Sequence, residues 1–168
     1  EEACENDKLQ AEFITKMIQL RASRSRTAGF KSLKKFMTDK GGSNPIFQFI
    51  SAREMRRHGK LKAAKETIGK ALRLDSSRSD FLLEEAQIFL SLRDYEGARS
   101  RAMRLQEMDT ECGQCILIIG DAYLGEKNFD KARKTFMDVT RLEDACYKAR
   151  GHMKLAHLYR DQPDPNVD

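Results

Sequence analysis

Residues 113–146 read GQCILIIGDAYLGEKNFDKARKTFMDVTRLEDAC, two amphipathic stretches on either side of the turn signal Gly125-Glu126-Lys127-Asn128. Small residues at Gly120 and Ala132, aromatics at Tyr123 and Phe136, and apolar Ile116, Ile119 and Val139 fall where one face of each helix would turn inward. The same pattern reappears upstream. Ala52, Ala86 and Gly120 are 34 positions apart, as are Ala64, Ala98 and Ala132; Met55, Phe89 and Tyr123 make a third column, Ile68, Ala102 and Phe136 a fourth, and Ala71, Leu105 and Val139 a fifth. Chance does not keep small and large columns at one period across residues 45–146. The turns keep step as well, since His58-Gly59-Lys60-Leu61, Leu92-Arg93-Asp94-Tyr95 and Gly125 to Phe129 each separate two helical stretches. Gly59 and Gly125 are expected to take the positive backbone angle that ends a helix, while Arg93-Asp94 must manage without glycine.

These columns and turns resemble the tetratricopeptide repeat, a helix-turn-helix unit of about 34 residues. The resemblance divides the chain into an N-terminal helical hairpin, a degenerate repeat or cap, over 1–40, a linker at 41–44, and three regular units at 45–78, 79–112 and 113–146. A capping helix or truncated repeat follows over 147–162, then a tail at 163–168. The implied fold is all-α, a right-handed superhelical solenoid of antiparallel helix pairs, because a lone pair cannot bury its apolar face and stacked pairs can. In the N-terminal hairpin Leu9, Phe13, Met17 and Leu20 make one stripe, which Ile14 and Ile18 widen, and Phe30, Leu33, Phe36 and Met37 make the second. Asn44 and Pro45 are a good N-cap and first helical residue. After Cys146 the register slips by two residues, so that Ala156 and Tyr159 take the small and aromatic places. The lack of an initial Met and the abrupt end at Asp168 read as a segment of something longer.

Charged residues make up 34% of the chain, which suits exposed amphipathic helices. The net charge of +5 conceals segregation: Lys16 to Arg73 holds sixteen Lys or Arg against Asp39, Glu54 and Glu66, so the remainder is acidic. The longest apolar run, Cys115 to Ile119, is far too short for a membrane span. Four cysteines in no stapling pattern favour a reducing, cytoplasmic compartment.

In the family the first helix of each unit lines the inner concave surface. The resemblance therefore puts Phe49, Leu83 and Leu117, with Met153, at one apolar inner position, flanked by Leu90 and Leu124. Arg53, Gln87 and Asp121 form the neighbouring polar column, and Arg56 and Arg57 its basic end. The implied role is a non-catalytic protein-interaction scaffold or adaptor, taking a peptide or amphipathic helix with apolar and acidic motifs in its groove. The alternatives are that these leucines are packing, that the Leu9–Leu20 helix fills the groove, or that the chain self-associates as a homo-oligomer. A nucleic acid or anionic membrane surface suits the basic stretch less well, because no exposed aromatics for base stacking accompany it. The Lys and Asn clamp with which one branch of the family grips chaperone C-termini is absent: those places hold Phe49 and Arg53, Leu83 and Gln87, Leu117 and Asp121.

Cys112-Gly113-Gln114-Cys115 invites a redox or zinc reading. A thioredoxin-like site needs a strand-to-helix junction, and a zinc site needs two more ligands, for which Cys146, His152 and His157 qualify only by count. Accessible or partly packed thiols at a junction between units are the expectation, with no metal or cofactor. His58, His152 and His157, and the pairs Glu84-Glu85 and Glu143-Asp144, make no trustworthy catalytic arrangement, so no enzyme activity is expected.

Overall fold

The computed structural model describes residues 2–22 and 26–161, with side chains from residue 7 and, after the break, from residue 28. The 163–168 tail, Arg24 and the side chains of Cys4 and Arg26 lie outside the described residues. The chain forms two compact units, 1–78 and 79–168. Regular structure among the described residues is helical throughout.

The first unit contains α1 (Glu2–Ala22), α2 (Arg26–Phe36), a π-helical turn (Met37–Gly41), α3 (Pro45–Arg57) and α4 (Leu61–Leu74). Phe13 of α1 stacks on Phe47 of α3 at 4.3 Å between ring centroids and lies 5.8 Å from Phe36. Met17, Leu20, Phe30 and Leu33 close the layer. The stripe on α1 is narrower than its sequence implies, for Ile14 and Ile18 are 56% and 61% exposed. A helix buries only the arc its neighbours cover, and here that arc ends at Phe13, Met17 and Leu20. Asn44 caps α3, its Oδ1 accepting from the N–H groups of Ile46 and Phe47. Ala52 of α3 and Ala64, Ile68 and Ala71 of α4 are fully buried.

The second unit contains α5 (Ser79–Ser91), α6 (Tyr95–Met108), α7 (Gly113–Gly125), α8 (Phe129–Thr140) and α9 (Ala145–Asp161). First helices start at Pro45, Ser79 and Gly113 and second helices at Leu61, Tyr95 and Phe129, two series with the same 34-residue step. Ala86, Ala98, Ala102 and Ala132 are fully buried, as are Phe136 and Val139. At Gly120 a Cβ would overlap the Phe136 ring, so this copy sets the large residue of α8 against the smallest one of α7.

The turns repeat in geometry more strictly than in residue type. Gly59, Arg93 and Lys127 have φ of 73°, 62° and 61° and are 34 positions apart. In each turn the next residue donates back to the helix: Lys60 to Met55 O, Asp94 to Phe89 O and Asn128 to Tyr123 O. Gly125 therefore does not have the role expected of it. It ends α7 inside the helix, and its missing side chain admits the Tyr95 ring at the start of α6.

Helix α9 starts after Asp144, whose Oδ1 accepts from the N–H groups of Cys146 and Tyr147 at 2.7 and 3.1 Å. Its buried Leu158 and Gly151 are the docking residues, Gly151 lying against Val139 and Thr140. Ala156, expected in a small core column, is exposed, because among the described residues no helix follows to cover it. Tyr159 is half-buried with the Arg133 guanidinium 5.4 Å from its ring.

Candidate functional site

On α3 the sequence places Phe49, Arg53 and Arg56 on one side, and all three are half-buried. The Arg53 guanidinium carbon lies 5.2 Å from the centre of the Phe49 ring, and its Nε is buried without a hydrogen-bond partner. The pair offers a flat cation over an aromatic face, an arrangement that holds an arginine ready for a carboxylate. The opposite side of α3 meets α1 through Phe47 and Glu54. Helix α1 thus packs against the Phe47–Glu54 side of α3 as a neighbouring helix of the layer.

Glu54 is the charged residue that sequence reasoning passed over. It is buried, and its Oε1 accepts from Arg21 at 2.5 Å and Arg57 at 3.0 Å, with His58 3.9 Å from its other oxygen. Burial works against its ionisation, but the Arg21 and Arg57 guanidiniums outweigh that and hold its carboxyl below the ordinary range. The same contact raises Arg21 above its ordinary value. In sequence Glu54 was one acid in a basic run; its position seven residues after Phe47, on the same helical face, was the available signal.

A cleft of about 400 Å³ in this unit is lined by Met37, Met55, Gln48 and Thr67 with Lys34 and Lys70. None of the residues expected on the binding face lines it.

In the second unit Leu83, Gln87 and Leu90 follow one another along α5, all half-buried. On α7 Asp121 and Leu124 are half-buried too, whereas Leu117 is only 1% exposed. Leu117 packs with Ile116, Ala132, Phe136 and Val139, and Leu155 of α9 lies against the same cluster. Leu117 is therefore core and unavailable to a partner. The corresponding residue on α9, Met153, is 53% exposed.

The polar column of α7 is already engaged. Lys154 Nζ of α9 donates to Asp121 Oδ1 at 2.6 Å, and Arg150 donates to Gln114 Oε1 at 2.8 Å. Arg99 binds both Glu126 oxygens at 2.5 and 2.6 Å, fastening α6 to the turn after α7, and its own pKa is raised by that contact. Cys112 and Cys115 are joined by a disulfide, which corrects the expectation of free thiols; Cys146 is free and exposed. Among the described residues no cluster of three His, Cys, Asp or Glu side chains could hold a metal ion, and no helix is long and apolar enough to cross a membrane.

The sequence profile of the tetratricopeptide repeat matches residues 114–146, which run from the second residue of α7 through α8 to the start of α9. The chain has a tetratricopeptide-repeat fold. MamA from Desulfovibrio magneticus RS-1, starting at its residue 41, superposes with a TM-score of 0.69 at 16% identity, covering 94% of this chain and 98% of that one. TTC0263, a tetratricopeptide-repeat protein of Thermus thermophilus, gives 0.67 at 17% identity over 92% and 83%. The second tetratricopeptide domain of human RPAP3, in complex with the HSP70 peptide SGPTIEEVD, gives 0.55 at 19% identity over 68% and 98%. No curated protein matches the chain in sequence. The first helices differ in burial: Phe49, Arg53 and Arg56 of α3 and Leu83, Gln87 and Leu90 of α5 are half-buried, while α7 has Leu117 in the core and Asp121 bonded to Lys154 of α9.

Proposed function

We propose that this chain is a non-catalytic protein-interaction scaffold that takes a segment of another protein on the first-helix faces of its repeats. The observation that carries the reading is the run Leu83, Gln87 and Leu90 on α5, two leucines flanking a polar side chain at helical spacing and half-exposed on a rigid helix pair. Preformed apolar contact of this kind reduces the ordering cost of binding. Phe49, Arg53 and Arg56 give the first unit a basic face of its own that suits acidic groups, whereas on α7 Asp121 is paired with Lys154 and Leu124 lies against the core cluster. Leu117 has no part in it. A related fold binding SGPTIEEVD, a segment with apolar and acidic residues, supports the same partner chemistry. The Lys and Asn clamp for a chaperone C-terminus is not among the residues of this chain, so an internal apolar-acidic segment is the better candidate.

Fluorescence anisotropy with labelled peptides that alternate leucine and glutamate tests the reading. Leu83→Glu with Leu90→Glu, and separately Arg53→Ala, are expected to weaken binding at least tenfold while the circular dichroism spectrum is kept. Unchanged affinity in both folded variants would sink it. Displacement by single-stranded nucleic acid at equal charge would instead favour a polyanion surface.

A second reading, self-association, rests on the exposed Ile14 and Ile18 of α1 and Met153 of α9. Light scattering that returns a concentration-independent monomer defeats it.

A further inference from the structure

The Cys112–Cys115 disulfide has no part in the binding surface, yet its two sulfurs have different surroundings. Cys112 is the N-cap of α7 and is half-exposed; Cys115, in the first turn, is fully buried. The Cys115 N–H donates to Cys112 Sγ at 3.3 Å. The residues between them are held from α9: the Tyr147 ring fills the place of a Gly113 side chain, 2.5 Å from where its Cβ would be, and Arg150 binds Gln114. One cysteine is thus half-exposed at a helix N-terminus with a donor aimed at its sulfur, and its partner is buried in a braced turn.

We propose that Cys112–Cys115 is a thiol–disulfide exchange site for a low-molecular-weight disulfide of the glutathione class, with Cys112 the exchanging sulfur and Cys115 the resolving one. The thiolate is the nucleophile, and a helix N-terminus favours it. Cys112 stands at the N-terminus of α7, while the carboxylates of Asp109 and Glu111 just before the turn oppose it. Access decides which sulfur reacts. In the reduced protein the Cys112 thiolate attacks one sulfur of glutathione disulfide, forming a Cys112–glutathione bond and releasing one glutathione thiolate. Cys115 then gives its proton to solvent and attacks the Cys112 sulfur, expelling the second glutathione thiolate and closing the protein disulfide. The protein dithiol loses two electrons, and the small disulfide gains them as two thiols.

The test uses the full chain with Cys4→Ser and Cys146→Ser, reduced, freed of reductant and mixed with glutathione disulfide, followed by intact mass and thiol titration. The expected result is an internal disulfide with two glutathione thiols released per chain. With Cys115→Ser added, the reaction should stop at one glutathione on Cys112; with Cys112→Ser instead, the folded protein should remain unmodified. Cys112 in the first variant should react at least about tenfold faster than Cys146 in a chain whose other three cysteines are serine. Equal rates for Cys112 and Cys146, glutathione on Cys115 at a comparable rate, or failure to close the internal disulfide would each overturn the assignment. Loss of helical circular dichroism on reduction would overturn it too, since the thiols would then react from an unfolded chain.

Discussion

Gly120→Ala sets two opposing effects against each other at one buried position. In a helix interior the change ordinarily stabilises by about 1 kcal/mol, since alanine is the best helix former and glycine among the worst. Here the new Cβ would lie well under 3.0 Å from two ring atoms of Phe136, a fully buried residue of α8. Overpacking of this kind costs about 1–3 kcal/mol, so the net expectation is a loss of roughly 0–2 kcal/mol. Phe136→Leu should itself destabilise by shrinking a core residue, but it removes the ring edge that the Cβ meets. In that background Gly120→Ala should regain stability, leaving a coupling of about 2 kcal/mol in the double-mutant cycle. Urea unfolding followed by far-ultraviolet circular dichroism suits a chain with no Trp, provided the slopes stay constant across the four proteins. Gly120→Ala that stabilises by the full helix-propensity gain when made alone, or that shifts stability equally in both backgrounds, would refute the packing argument.

Two further outcomes are expected. Because Glu54 has a depressed carboxyl pKa in the folded state, the unfolded chain binds more protons in mild acid. Its contribution is complete above the ordinary carboxylate pKa and is lost as the pH falls through the lower folded value. Glu54→Gln should therefore cost about 1–3 kcal/mol at neutral pH and flatten that acid dependence, as urea titrations across the acidic range would read. At the turns, Lys127 and Arg93 have the left-handed backbone that costs an L-residue about 1–2 kcal/mol, partly offset by glycine's larger loss of freedom on folding. Lys127→Gly and Arg93→Gly should each raise stability by about 0.5–1 kcal/mol, and Gly59→Ala should lower it; thermal melts with either sign reversed would contradict the turn assignment.

The helix pairs were legible because their signal is repeated: small residues at Ala52, Ala86 and Gly120 and at Ala64, Ala98 and Ala132 are required by close backbone approach in every copy. What escaped was set by single contacts. Gly125 looked like the turn glycine because glycine is the usual residue there, yet the turn puts Lys127 in the left-handed region and uses Gly125 to admit Tyr95. Leu117 shares its column with Phe49 and Leu83, but the cluster joined by Leu155 buries it, and no periodicity within one unit reports what the following helix covers. Spacing alone could not say whether Cys112 and Cys115 were bonded, nor that Glu54 would be enclosed by two arginines from different stretches of chain.

The Lys154–Asp121 contact changes the charge that α7 presents. A cation arriving at Asp121 must compete with an ammonium tethered to the same chain, whose effective concentration is on the order of millimolar or above. An arriving carboxylate meets the mirror-image rival, because it must displace Asp121 from Lys154. A position that counts as acidic in the sequence is therefore neutral in the fold, and a charged group of either sign that reaches it has a tethered competitor to displace.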